Sequence, residues 1–327
     1  MSTRHDAGDR IKICRVEREL LSVRRLLASS TMVGERTLIE KPGSVADKQM
    51  TAGAGGRGAI EGNQAVGGSL MRFMSVTALS LALAAAPLMA KPAAAPPPTT
   101  ISAAVADTAH RSAGNVKLDE GRKPDQVLKY LGLKPGMHVL DLFGGNAYWA
   151  EITAPVVGPK GHVTVWEPTQ FYSDKAKASF GEFQAAHSNV SIVSSPFEAP
   201  DLPKNYADWV ILNDNYHDTY WENAKYKIPQ MDPNAFLKAV YASMKPGATI
   251  GVIDHIANPN SDTRATVEKF HRIDPNVVKT DFQRAGFVFV GSSNLLRNHA
   301  DDHTLLVFDP KVAGKTDRFI FMFKKPR

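Results

Sequence analysis

The stretch VLDLFGGNAYW, Val139 to Trp149, decides the fold. Its first four residues have buried-strand character, with Asp141 among them. They run into Gly144 and Gly145 and then into a helix-forming segment. A strand that enters a glycine turn and then a helix is the opening unit of a doubly wound sheet. Glycine lets the backbone approach a ligand, and the first helical turn offers unpaired amides. Asp141, at the strand end, can receive a ligand ammonium group. The spacing G-x-G-x-x-G is missing, which argues against a nicotinamide dehydrogenase.

Working outward, strand and helix patterns alternate. Strands are expected near 137–142, 162–166, 190–194, 207–213, 248–254, 286–291 and 318–324. Helices are expected near 148–157, 172–186, 233–244, 263–272 and 275–285, with a shorter one opened by Pro124 and closed by Gly132. Asp232-Pro233 and Asp274-Pro275 each place a capping carboxylate before a proline at the first helical position. Such alternation implies one α/β domain, residues 115–327, with a mainly parallel sheet covered on both faces. The polar connection 292–317 has no helical pattern, and its position predicts a loop closing over the carboxyl edge of the sheet.

The first 70 residues are rich in Gly, Ser and Arg and could not bury a core, so they are expected to be a disordered tail or the product of a start assigned too far upstream. Met71, Arg72, an apolar run to about Met89 and small residues near Ala90 follow in the order of a secretory signal peptide, or of a marginal membrane anchor. A Pro/Ala-rich linker is expected over 91–114. Either version of the 71–90 segment exports the folded part, to the periplasm or beyond, with membrane contact only through that segment. The tail holds 11 Lys/Arg and 8 Asp/Glu, and Arg72 adds one positive charge. Of the chain's +6, only +2 remains for residues 91–327. The sequence pI of 9.2 is therefore partly the leader's and gives no ground for nucleic-acid binding. Cys14, the only cysteine, also lies in the tail, which leaves the exported part without a thiol.

Residues just after each strand are the ones to meet a ligand. Glu167 ends the second strand, where a carboxylate can accept a pair of hydroxyls. Ser195 and Phe197 follow the third, and Phe197 either covers a flat ring or packs in the core. After the fourth strand comes NDNYHDTYW, Asn213 to Trp221. His217 is the candidate base, with Asp218 or Asp214 to orient it, while Tyr216, Tyr220 and Trp221 line a pocket or pack beneath the next helix. In RNHADDH, the alternation of His299, Asp301 and His303 would turn three ligands one way on an extended backbone, enough for part of a metal site; closure of the loop is the preferred reading, and no metal is assigned. Arg297, Lys315 and Arg318 either meet an anionic substrate from that loop or, as the default for each, are solvated surface charges. His271 and Arg272 are expected as helix-end charges.

LKPGMHVLDLFGGNAYWAEITAPVVGPKGHVTVWEP, with YADWVILNDNYHD, MKPGATIGVIDH, HRIDPNVVKTDFQRAGF and GKTDRFIFMFKKP, resembles the class I S-adenosylmethionine-dependent methyltransferases. Within them it is similar to a bacterial group of predicted methyltransferases that often carry signal peptides. The resemblance covers roughly residues 115–325 and rests on several spaced motifs. It implies a Rossmann-like, doubly wound, seven-stranded sheet with an antiparallel last strand. It implies S-adenosylmethionine as cofactor, with its methionine part on Asp141, Phe143, Gly144, Gly145, Asn146 and Ala147, its ribose on Glu167 and its adenine at Ser195 to Phe197. Asn213 joins the cofactor set, and His217, Asp218 and Tyr216 the catalytic one. The usual D-x-G-x-G-x-G has Phe143 for its first glycine and Ala147 for its last, so Phe143 either walls the pocket or fills it. The expected function is methyl transfer to a small-molecule acceptor; the alternative is an exported, non-catalytic binding module on the same scaffold. Mass spectrometry of the natural N-terminus tests the leader: peptides from residues 1–60 are expected to be missing, and their detection would refute the late start.

Overall fold

A computed structural model describes residues 99–327, so the tail, the signal or anchor segment and the first part of the expected linker lie outside the described residues. The helices are α1 Ile101–Ala106, α2 Ala113–Val116, α3 Asp119–Arg122, α4 Pro124–Tyr130, α5 Tyr148–Val157, α6 Asp174–Ala186, α7 Pro233–Ser243, α8 Thr263–Phe270 and α9 Pro275–Arg284. The strands are β1 His138–Leu142, β2 His162–Pro168, β3 Val190–Ser195, β4 Ala207–Asn213, β5 Met244–His255, β6 Val288–Ser293 and β7 Arg318–Lys324. They form one sheet in the order β3-β2-β1-β4-β5-β7-β6, parallel from β3 through β5, with β7 antiparallel to both its neighbours. This is the expected α/β fold with its antiparallel last strand.

The sheet is buried on both faces because its central strands are apolar at successive positions. On β4, Trp209 and Ile211 enter one core layer with Tyr148 and Leu131, while Val210 and Leu212 enter the other with Phe236 and Phe282. The Trp209 indole N–H donates to the Leu131 carbonyl at 2.9 Å, so its polar atom is satisfied inside the layer. The order reverses between β1 and β4. At such a switch point two adjacent connections leave in opposite directions and open a crevice at the carboxyl edge.

Helix starts follow the sequence. Asp232 and Asp274 accept from the amides of Asn234 and Asn276, and Asp262 accepts from that of Ala265. The N-terminal side differs from expectation. Within the segment expected as linker, α1 is a helix capped by Thr100, and Thr99 donates to the carbonyl of Pro155. Arg111, also in that segment, is buried and pairs with Asp119 at 2.7 Å. ISAAVA is too short for a periodic apolar pattern, and it depends on packing against α5. The domain therefore begins before residue 115. Among the described residues, no helix is long and apolar enough to cross a membrane.

The β1–α5 turn explains the altered glycine pattern. Phe143, Gly145 and Ala147 have φ of 57°, 58° and 60°, so the backbone is left-handed at each of the three positions that hold glycine in D-x-G-x-G-x-G. Gly144 is required for another reason: a Cβ there would lie 2.0 Å from Cγ1 of Val165 on β2. The turn thus keeps a glycine path with two non-glycine residues, each costing roughly 1–2 kcal/mol. Ala147→Gly should relieve one of these costs. We expect it to raise stability by about 1 kcal/mol in urea unfolding with an unchanged m-value.

Candidate functional site

The site has two halves on either side of the switch point. In the first, Asp141 at the end of β1 is buried. One carboxylate oxygen accepts from the amide of Ala150, and Oδ2 has no partner. Burial, and then the neighbouring Glu167, push its carboxyl up to about 8. Oε2 of Glu167 accepts from the amide of Gly145 at 2.8 Å, tying β2 to the turn. The Asn146 side-chain amide hydrogen-bonds to Asn115, which in turn donates to the Asn146 carbonyl at 3.0 Å. Asn115 is fully buried and clamps the turn from the N-terminal segment. Sequence reasoning missed it because it lies in an apparently featureless polar stretch.

The aromatic side of this half is closed. Phe143 packs against Trp166, Phe197 and Phe236 with ring centroids 4.9, 5.6 and 5.9 Å away. Phe197 is fully buried, so it is a core residue, not an open ring cover. Oγ of Ser195 accepts from the Trp166 indole at 2.7 Å and from the Asp201 amide at 2.8 Å, which gives it a structural task. Phe143 therefore fills this end.

The second half is a cavity of about 880 Å³ at the carboxyl ends of β4 and β5. Asn213, Asp214, His217 and Asp218 line it, and the connection 294–317 supplies a wall that includes Arg297, Phe308 and Lys315. The expected closing loop thus stands over this cavity. Tyr216 does not join them: it is buried in the core, and its hydroxyl donates to Asp281 at 2.8 Å. Tyr220 meets the same carboxylate. A residue at the start of a 3₁₀ turn points away from its successor, which explains why neighbours in sequence have opposite fates.

His217 is held by Asp254 at the end of β5, not by the aspartates expected from sequence. Its Nδ1–H donates to Oδ1 of Asp254 at 2.7 Å and its own amide donates to Oδ2 at 2.8 Å. The His255 amide also donates to Asp254. Nε2 faces Asp218 at 3.4 Å. Burial alone would depress the imidazole, but Asp254, Asp218 and Asp214 override it and lift it to about 9. The neighbouring His255 and His271 go the other way, to about 4, chiefly through burial. Asp254 and His255 were visible in VIDH but had no spacing signal linking them to His217, 37 residues earlier.

Asp214, Asp254 and His255 offer ligand atoms within 4.8 Å of one another. Groups of the protein already serve these carboxylates: Arg318 donates to Asp214 at 3.2 Å, and the His217 ring lies 2.7 Å from Asp254. Asp214 is held near 2 against its burial by Arg318, His255, Arg122 and His217. The alternating ligands of RNHADDH do not converge. Asp301 is buried in a two-bond pair with Arg272, His303 turns to Asp317 and Asn258, and His299 is exposed. Arg272 is consequently a fully buried anchor of the connection, not a helix-end surface charge. His271 caps α8 and lines the cavity.

No family model matches the chain, and no curated protein matches it. Solved structures do. A SAM-dependent methyltransferase from Aquifex aeolicus is 18% identical, with 69% of this chain and 99% of that chain covered and a TM-score of 0.46. An arsenic(III) S-adenosylmethionine methyltransferase from Chlamydomonas reinhardtii is 17% identical over 71% and 75%, with a TM-score of 0.45. A sarcosine dimethylglycine methyltransferase described from Galdieria sulphuraria is 13% identical over 65% and 86%, at 0.45.

The buried carboxyl of Asp141 makes a signed prediction. Its folded value lies above its unfolded one, so its ionisation costs stability as pH rises from about 4 through about 8. Asp141→Asn should raise the melting temperature at pH 9 by several degrees more than at pH 5, read by differential scanning calorimetry.

Proposed function

We propose that the chain is an S-adenosylmethionine-dependent methyltransferase acting on a small-molecule acceptor, exported through its N-terminal segment. The observation that carries this reading is the buried, unpartnered Oδ2 of Asp141 beside a turn with left-handed backbone at 143, 145 and 147. A buried carboxyl held up to about 8 with one oxygen unpartnered would be drawn into its ionised form by a bound cation, and the donor's α-ammonium is one. Asp141, the turn 143–147, Glu167 and Asn213 would hold the donor. Asn213 supports this: it is buried, and its Oδ1 has no partner. When bound, the donor supplies an electrophilic methyl group.

The chain's own task is then alignment and proton removal. His217 stands on the acceptor side with Nδ1 fixed by Asp254, which leaves Nε2 to take the acceptor's proton. Asp218 lies close enough to Nε2 to stabilise the imidazolium that results. Because the imidazole is lifted to about 9, the basic form grows as pH rises toward that value. Tyr216 belongs to the support of this turn and not to its chemistry.

The second reading, a non-catalytic binding module, is favoured by the packing of Phe143 and Phe197 on one another, since these rings border the expected adenine end. The supply of a cytoplasmic cofactor to an exported protein favours it too. Calorimetry separates the two. Saturable binding of S-adenosylmethionine and of its demethylated product is expected, and lack of binding at about millimolar ligand would sink the enzyme reading. With an acceptor in hand, turnover should climb about tenfold per pH unit below 9. His217→Gln should lower turnover by about 10²–10⁴ with donor affinity nearly unchanged, and Asp254→Asn should move the rising limb to lower pH.

A further inference from the structure

Arg122 differs from most of the other arginines of the domain. Arg111, Arg272, Arg297 and Arg318 each donate to an aspartate, and Arg264 donates to two backbone carbonyls. The guanidinium of Arg122 lines the cavity and stacks on the ring of Tyr148, 4.3 Å from its centroid. Among the described residues it hydrogen-bonds to no acceptor. Tyr148 is itself fixed, since its hydroxyl donates to Asp119 at 2.8 Å and its ring is buried. Stacking leaves the edge of the guanidinium, with its fork of donors, open to a planar or tetrahedral oxyanion.

The surroundings agree in sign. Six Lys/Arg and three Asp/Glu line the cavity, and of those acids Asp214 is already committed to Arg318. Lys117, Lys123 and Lys315 are exposed around it and add a positive field without carboxylate partners. Burial holds the Arg122 guanidinium below its ordinary value, against the pull of Asp214 and Asp141 nearby.

A different part of the same cavity is aromatic. Trp221 packs edge-on to His271 at 4.9 Å, His271 packs against Phe308 at 5.6 Å, and Tyr226 lies 6.1 Å from Trp221. His217 connects the two parts: its ring is 5.5 Å from that of His271, and its charge acts on Asp214, the acid held by Arg318. A ligand that satisfies both parts has a flat apolar body and one anionic head.

We propose that the acceptor is a small aromatic oxyanion, a carboxylate or a phosphate monoester, with its head on Arg122 and its ring against Trp221 and Phe308. This assignment rests on the methyltransferase reading for the word acceptor, but not for the binding itself. No bond is made or broken at Arg122, which positions the substrate while His217 faces the reacting atom.

The test is calorimetry on the full protein with 4-hydroxybenzoate, phenyl phosphate, inorganic phosphate and the uncharged 4-hydroxybenzamide. One aromatic anion should bind at least about tenfold more tightly than the amide, and which one wins distinguishes carboxylate from phosphate. Arg122→Gln should erase that difference, Arg122→Lys should keep part of it, and both should bind the demethylated donor product within about twofold of the parent. Equal affinity for amide and acid, or no aromatic anion bound at about 10 mM, would overturn the proposal. So would an Arg122→Gln variant that loses the demethylated product but keeps methylthioadenosine, because the arginine would then serve the donor's own carboxylate. If an anion binds and the donor does not, the anion site stands and the methyltransferase reading falls.

Discussion

Everything at the carboxyl edge depends on the backbone of five residues after β1. Three left-handed positions, Phe143, Gly145 and Ala147, reverse the chain tightly enough to begin α5 directly over the end of the strand. The path allows no side chain at Gly144, where β2 passes too close. Strain at two non-glycine residues persists only if surrounding contacts over-determine it. Those contacts are present: Phe143 is gripped by three rings, the amide of Gly145 by Glu167, and Asn146 by Asn115. Phe143 therefore does two jobs with one side chain. Its ring closes the aromatic side of the turn, and its packing helps to hold the left-handed backbone that keeps Asp141 at the sheet edge.

The electrostatics divide along the switch point. On the β1 and β2 side two acids, Asp141 and Glu167, are buried close to one another, and burial together with Glu167 outweighs the charge of Arg122 in pushing Asp141 up to about 8. On the β4 and β5 side the carboxylates are matched: Asp214 with Arg318, and Asp254 with His217. Ionising both buried acids at once is unfavourable, which is why Asp141 resists losing its proton. The matched side is organised instead to hold an imidazole in one orientation.

Much of the fold was legible because its signals are local. Apolar runs gave the seven strands, and Asp-Pro pairs gave the starts of α7 and α9 within a residue. The residues after β1, β2 and β4 were singled out by the rule that ligands meet strand ends. What failed was the assignment of partners. Asp218 follows His217 in sequence, yet Asp254 on the neighbouring strand orients the ring, because parallel pairing places Asn213 level with Ile253 and brings the two strand ends together. Tyr216 and Phe197 were plausible pocket residues by position, but a turn's helical sense sends alternate side chains inward, and sequence does not record that sense. Arg122 and Asn115 were missed for want of any motif. Their importance arises from the fold returning the N-terminal segment to the switch point.

The connection 294–317 sharpens what the cavity is. Long loops without secondary structure are often mobile lids, but this one is nailed down by groups that tolerate little movement. Asp301 is buried against Arg272, Asp317 receives Arg297, the amide of Asn298 and His303, and Thr316 meets the ring of His255. Opening it would strand buried charges, and the cost of breaking a single such pair is about 3–5 kcal/mol. The wall carrying Phe308 and Lys315 is thus part of the scaffold. Selectivity in a preformed pocket of this kind comes from where fixed groups already stand. The position of the Arg122 guanidinium relative to a fixed aromatic wall then limits what can bind more strongly than the volume between them does.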